Sequence, residues 1–317
     1  MLRLLRTRFL PLFTVFLLVA PVVGRVFGPS FFLFELFSHF SVQYTGLAGL
    51  LLAFWIGRGR PFMAFLAGAA LLLNAYWCAP LFRYDPPRTG QTDLRVFHAN
   101  VLYTRDDYQP IIDTIRRLQP DFFVLHEMTP TGVRAVAELQ RDYPYQDSVW
   151  AKGPCYILVG SRTPFRTDSL ARQQHRVIAL TSTVRGRAVS LSTVHPRTPL
   201  LPGWFAHRNE QLQFVADQLA NATNPAVLIG DFNISPLSPI YTHSFTNRSG
   251  VLGPLNACRD GFGWTPTWPR YLPFMFIPID HAFVNGGFVT KRFRTLTIPG
   301  SDHRAICIDL SLSKKQK

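Results

Sequence analysis

Roughly the first eighty residues of this chain are almost continuously apolar, and no later stretch resembles them. About 20 consecutive apolar residues, hydrophobic on every side, have no stable surface in water and fit the hydrocarbon core of a bilayer. The apolar runs predict an all-α membrane region over residues 1–84 with about three transmembrane helices. The first run covers residues 9–27, behind Arg3, Arg6 and Arg8. A cleaved signal peptide competes with that reading. Against it, the run is long, no small-x-small cleavage site follows, and further apolar runs come next. The second run covers residues 39–56, where Gly46, Ala48 and Gly49 are small enough for close helix contact. The third covers residues 61–81, with Tyr76 and Trp77 as interfacial anchors. Residues 31–40 are rich in Phe but broken by Glu35 and His39, and are expected to lie at the membrane surface.

Arg3, Arg6, Arg8, Arg58 and Arg60 fall on one side of these spans, and Arg25, Arg83 and Arg88 on the other. Five against three favours an inside N-terminus, and three crossings then place the remainder outside the cytoplasm. In a bacterium the expectation is an inner-membrane protein with an extracytoplasmic soluble domain. The spans carry few ionisable groups and offer too little chain for a transport pathway, which argues against a channel or transporter.

Residues 85–92 read as a linker, 93–313 as a soluble domain, and 314–317 as a basic tail. The net charge is +14, and from Asp93 onward 25 basic residues still face 17 acidic ones. That excess suits a polyanionic partner, either nucleic acid or anionic lipid headgroups. An arginine-rich genome would give the same balance, because Lys occurs only five times. Cys155 and Cys258 could pair outside the cytoplasm, and no Cys/His spacing fits zinc.

In the soluble part, strand-like runs at 94–102, 121–127, 156–161, 177–195, 226–229, 277–284, 288–296 and 305–312 alternate with helical patterns at 111–118, 131–140 and 210–219. Arg185-Gly186 marks a hairpin. Hairpins mixed with helical crossovers predict an α/β fold, a four-layer α/β/β/α sandwich of two mixed sheets. Six of these runs meet a strongly polar residue at one end. Asn100 follows Leu94-Arg-Val-Phe-His-Ala; Glu127 follows Phe122-Phe-Val-Leu-His; His195 follows Leu191-Ser-Thr-Val. Asp231 and Asn233 follow Val227-Leu-Ile-Gly, Asp280 follows Phe276-Ile-Pro-Ile, and Asp302-His303 precede Ala305-Ile-Cys-Ile. Any one of these could be a turn residue. Together they suit a polar site at one sheet rim.

The residue types match the hydrolysis of a phosphate ester. A hard cation such as Mg²⁺, with Mn²⁺ as a substitute, takes oxygen ligands, which Asn100, Glu127 and Asp302 offer. Asp231 is the candidate base for the attacking water. His195 and His303 can donate to phosphoryl oxygens, and Asp280 can fix the tautomer of His303.

Taken together, Phe97-His-Ala-Asn100, Leu125-His-Glu127, Thr193-Val-His195, Gly230-Asp-Phe-Asn233, Ile279-Asp-His281 and Gly300-Ser-Asp-His303 resemble the endonuclease/exonuclease/phosphatase superfamily, in the family's order and over nearly the whole soluble part. The closest resemblance is to bacterial members with N-terminal membrane helices. It implies a metal site at Asn100 and Glu127 with Asp302 nearby. Asp231 would align the nucleophilic water and Asn233 would contact the phosphate. His303, paired with Asp280, would act on the scissile phosphate as base or as electrostatic partner, and His195 would be a phosphate contact. One or two metals are both open. The expected activity is a membrane-anchored, metal-dependent phosphodiesterase, extending to phosphomonoesters, on a lipid headgroup or a nucleic acid. No protein partner is expected. A non-catalytic tethered binding module is the alternative, but it predicts the loss of Glu127, Asp231 or His303, and all three are present.

Overall fold

The computed structural model describes residues 8–86, 88–246 and 248–313. Arg3, Arg6 and the basic tail 314–317 lie outside them. Two six-stranded sheets pack face to face. The first holds β1 (Leu94–Asn100), β2 (Phe122–Met128), β3 (Tyr145–Lys152) and β4 (Cys155–Ser161). The second is built from β5 (Phe165–Thr167), β6 (Ile178–Val184), β7 (Arg187–Thr193) and β8 (Ala226–Asp231). After a short hairpin of β9 (Ser249–Gly250) and β10 (Gly253–Pro254), β11 (Asn256–Ala257) and β12 (Asp280–Val284) return to the second sheet, and β13 (Phe288–Thr297) and β14 (Arg304–Leu312) to the first. The orders are β13-β14-β1-β2-β4-β3 and β11-β12-β8-β7-β6-β5. Pairs β1–β2 and β7–β8 are parallel, while β1–β14 and β12–β8 are antiparallel. This is the expected mixed architecture.

The central strands are apolar on both faces because both faces are covered. Val96, Val124, Val227 and Ile229 turn into the inter-sheet core with Ile306 and Ile308. Their sequence neighbours turn outward. Phe97 and Phe123 meet Ile111, Ile112 and Ile115 of the helix Gln109–Leu118, and Leu228 and Phe283 meet Leu212 and Val215 of the helix Pro202–Asn221. Period-two alternation thus fills three apolar layers with one set of strands.

The pairing directions create the site. β1, β2, β7 and β8 deliver their C-terminal ends to one rim. β14 runs antiparallel to β1 and β12 antiparallel to β8, so their N-terminal ends reach the same rim. In the β8–β12 register Asp280 stands opposite Asp231.

Within the two-sheet domain, three details depart from expectation. Edge strand β3 was hidden because only Val149 and Ala151 are buried, while Gln146, Asp147 and Ser148 stay partly exposed. The helix before β8 starts at Pro202, where proline at the first turn presets the backbone, and not at residue 210. Cys155 and Cys258 are free and buried, so they form no disulfide. Each packs within the core of the domain.

In the N-terminal region, α1 (Leu10–Phe27) is long and apolar enough to cross a membrane, as is the segment Pro61–Phe82, which begins with the helix Pro61–Cys78. A third span exists if α2 (Phe32–Ser38) and α3 (Ser41–Gly57), bent by 59°, count as one. Gly46 and Gly49 are not the close-packing points: a Cβ at Gly46 would meet nothing, and one at Gly49 would make only ordinary contact. That role falls to Gly24 of α1, where a Cβ would sit 2.6 Å from the Ser38 nitrogen as α2 crosses.

α2 docks on the two-sheet domain. Glu35 Oε2 accepts a 2.7 Å hydrogen bond from Arg208 Nη2, with both side chains fully buried, and Glu35 Oε1 accepts one of 2.6 Å from Ser238 Oγ. His39 meets Ser235 Oγ at 2.8 Å, and Gln43 donates to the Phe276 carbonyl at 2.8 Å. Arg208 is therefore committed to Glu35. The linker is pinned as well: Asp85 donates its amide to Gly261 O, and Lys291 binds the Thr89 carbonyl.

A buried ion pair broken on one side leaves an uncompensated charge, at a cost of about 3–5 kcal/mol. Glu35→Ala should lower the unfolding midpoint in detergent accordingly, and Glu35→Leu with Arg208→Met should restore most of the loss. An unchanged midpoint in the single variant would show that the pair does not hold the two regions together.

Candidate active site

Asp280 anchors the rim. Its Oδ2 accepts from His303 Nδ1 at 2.8 Å and its Oδ1 from His98 Nε2 at 3.0 Å, with no solvent contact. Burial pushes this carboxyl up, but the His303 charge and the hydrogen bonds from both histidines outweigh it and hold Asp280 well below the carboxylate range. Burial pushes His303 down, but the charges of Asp280 and Asp231 prevail and raise it to about 10. His303 is therefore an imidazolium at neutral pH, with Nε2 pointing at Asp231 Oδ2 across 3.8 Å.

Asp231 is held from three directions. Its Oδ2 accepts from Asn100 Nδ2 at 3.0 Å, its Oδ1 accepts from the Asn233 amide at 3.0 Å, and its own amide donates to His126 Nδ1 at 3.3 Å. That last bond makes Nδ1 of His126 an acceptor, so Nε2 carries the hydrogen and donates to Thr193 Oγ1 at 2.9 Å. Burial, then the neighbouring His98 and His195, drive His126 well below its ordinary value, and it is neutral. Gly230 makes room for this ring. A Cβ there would lie 2.7 Å from the Val194 carbonyl and 2.8 Å from His126 Cε1. The glycine admits an imidazole, not a ligand.

Glu127 projects from an irregular point of β2. The β2–β4 register shifts between Leu125 and Met128, and Glu127 takes φ 59°. Left-handed backbone in a non-glycine residue costs about 1–3 kcal/mol, and a bulge re-aims a side chain. Glu127 Oε2 accepts from the Tyr103 amide at 3.2 Å, and Oε1 lies 3.4 Å from His195 Nε2 and 3.9 Å from Lys152 Nζ. Burial raises this carboxyl, yet the His195 hydrogen bond, then the charges of His195 and Lys152, bring it down to about 2. The other His195 nitrogen faces Asp231, 3.3 Å from its carbonyl and 3.7 Å from Oδ2. Glu127, His195, Asp231 and His303 thus form one chain of contacts.

A cavity of ≈380 Å³ opens over this chain. Glu127, Asp231, Asn233, Asp302 and His303 line it, with Trp268 donating to Asp302 Oδ2 at 3.0 Å. Asn100, His195 and Asp280 lie behind the lining. His195 sits between two carboxylates instead of at the cavity surface, and Asn100 orients Asp231. Asn233 also has φ 51°, and its amide ties to Pro196 O and Thr198 Oγ1. A larger cleft of ≈820 Å³ beside Arg25 and Trp77 holds none of the eight residues. Trp264 stacks on Phe82 at 5.5 Å and stays out of the cavity, and Arg197 lies over the Trp204 ring at 5.3 Å.

Sequence reasoning passed over His98 and Lys152. His98 is two residues before Asn100 on a strand, hence on the same face, and that spacing was a usable signal. Lys152 reaches Glu127 only through the edge pairing of β3 with β4, which no local pattern announces.

Three carboxylates converging on one cavity suit a hard divalent cation. Ligand atoms of Asp231, Asp280 and His303 lie within 4.8 Å of one another. Both Asp280 oxygens already hold imidazoles and His303 is protonated, so this trio reads as an ion pair. Glu127 and Asp302 are the better oxygen donors, because both face the cavity.

A two-sheet α/β sandwich with a carboxylate–imidazole site at one rim defines a hydrolase class. The chain belongs to the Endonuclease/Exonuclease/phosphatase family, whose sequence model matches residues 96–303. Solved structures with this fold include D. rerio TDP2 complexed with single-strand DNA product, at 15% identity and TM-score 0.56, over 69% of this chain and 98% of that one. The endonuclease/exonuclease/phosphatase from Beutenbergia cavernae matches at 20% identity and TM-score 0.52, over 70% of this chain and 72% of that one. The corresponding Bacteroides vulgatus protein matches at 16% and 0.52, over 70% and 100%. At these identities the likeness speaks for the fold alone. No curated protein matches the chain.

The His303–Asp280 pair predicts a pH signature. A histidine raised from 6.5 to about 10 contributes stability that is complete below 6.5 and is lost as pH rises through about 10. In metal-free protein, the His303 imidazole NMR signals should stay at imidazolium positions at pH 8, and Asp280→Asn should bring the titration down toward the ordinary range. A midpoint near 6.5 in the unmutated protein would refute the ion pair.

Proposed function

We propose that this chain is a membrane-anchored, divalent-metal-dependent phosphodiesterase that cleaves its substrate by in-line attack of water. The observation that carries the reading is the meeting of Glu127, Asp231 and His303 in one cavity, joined through His195. Asp231 is the water-aligning base. Asn100 and the Asn233 amide hold its oxygens so that one edge of the carboxylate is turned to the cavity. The His303 imidazolium donates to a phosphoryl oxygen and offsets charge that grows in the transition state. Asp280 keeps His303 charged and oriented. Asn233 borders the phosphate, and His195 bridges Glu127 and Asp231 from behind.

Mg²⁺, or Mn²⁺, held by Glu127 and Asp302 with Asn100 beside them, would neutralise a phosphoryl oxygen and stabilise the leaving oxygen. The two or three membrane-length helices support anchoring, and the arginine distribution favours an extracytoplasmic catalytic domain.

Purified full-length protein in detergent should hydrolyse a chromogenic phosphodiester with Mg²⁺ and stop on addition of a chelator. Asp231→Ala and His303→Ala should each lower kcat/KM by about 10²–10⁴. Equal turnover in the wild type and both variants would overturn the mechanism. A reporter fused to the C-terminus should be active only if its activity requires an extracytoplasmic location. Cytoplasmic activity would reverse the orientation.

A further inference from the structure

The cavity lining is of two kinds. Carboxylates and His303 make up one part of it. Much of the rest is apolar, and some of that comes from outside the two-sheet fold. Leu36 of α2, with His39 and Phe40 in the break between α2 and α3, lines the cavity. Leu102, Leu200, Met275, Ile277 and Ile279 of the two-sheet domain complete the apolar lining.

Two further observations bear on what fills it. The N-terminal wall is fixed in place, because Glu35 is bonded to buried Arg208, His39 to Ser235 and Gln43 to the Phe276 carbonyl. Arg208 in turn donates to the Asn233 carbonyl at 3.1 Å, so the clamp ends on a residue that also lines the cavity. The loops bordering the cavity also carry apolar side chains outward. Leu200 and Leu201 are about half exposed, Leu272 is 44% exposed and Phe274 is 70% exposed. Exposed apolar groups clustered at a rim mark a surface that meets lipid or another apolar partner.

We propose, resting on the phosphodiesterase reading, that the cavity is a headgroup-and-chain site. The substrate is an amphiphilic phosphoester whose phosphate lies at Glu127, Asp231 and His303 while one hydrocarbon chain runs along Leu36 and Phe40 toward the bilayer. The bent α2–α3 segment is then both anchor and part of the substrate pocket, and the enzyme takes its substrate from the membrane that holds it. The Leu200–Leu201 and Leu272–Phe274 loops rest on the lipid surface beside the entrance.

The test is a homologous series of alkyl 4-nitrophenyl phosphates, ethyl, butyl and octyl, each below its aggregation concentration. Full-length protein held in amphipol is used with Mg²⁺, and the scissile bond is the same throughout. Each CH₂ buried strengthens an interaction by about fourfold. The octyl ester should therefore exceed the ethyl ester in kcat/KM by at least about 100-fold, and Leu36→Gln and Phe40→Gln should each shrink that ratio by at least about tenfold. Binding of ethyl- and octylphosphonate, read by calorimetry, separates this inference from the proposed reaction. Chain-length-dependent binding without hydrolysis would sustain the subsite and sink the chemistry. Equal hydrolysis and equal binding across the series would overturn the subsite and leave the phosphodiesterase standing. So would efficient cleavage of plasmid DNA with no gain from the alkyl chain.

Discussion

The pairing of β12 against β8 is the constraint on which the site depends. It sets Asp280 directly across from Asp231. One of these carboxylates is sealed between two imidazoles, and the other is left at the cavity. Slipping this register by one residue would turn Asp280 to the opposite face of its sheet. His303 would then lose the partner that keeps it charged. The inter-sheet core prevents the slip, because Ile229 and Ala282 are themselves register partners within it. Packing and catalysis therefore draw on the same alignment.

Around that alignment the site stores several local costs. Glu127 and Asn233 hold left-handed backbone, and His98, His126 and His195 are buried with ring centroids 4.5 and 4.8 Å apart. None of these would persist without surroundings that over-determine them. Each has its own restraint. The bulge and the Tyr103 amide hold Glu127, Pro196 and Thr198 hold Asn233, and Asp280 and Thr193 hold the outer and middle imidazoles. A geometry fixed this firmly before substrate arrives leaves little reorganisation for the reaction step.

Much of this was legible in the sequence, for definite reasons. Strands buried on both faces write long apolar runs, and the polar residues that end them are conspicuous, so Asn100, Glu127, Asp231 and His303 stood out. β3 did not, because an edge strand with partly solvated Gln146, Asp147 and Ser148 has no apolar period to display. Lys152, at its end, was lost with it. Arg208 stayed unread for a different reason. Its partner Glu35 lies 173 residues away, in a segment whose apolar composition pointed to lipid. Burial and pairing across such a distance leave no local trace.

The Glu35–Arg208 contact also limits how such a protein can be rearranged. A catalytic unit cut away behind its linker would carry a buried guanidinium with no counter-charge and a cavity with one side open to water. Gene fusion could not simply exchange this N-terminal region for another of equal length, because it supplies interior surface to the two-sheet domain. The two halves have to change together.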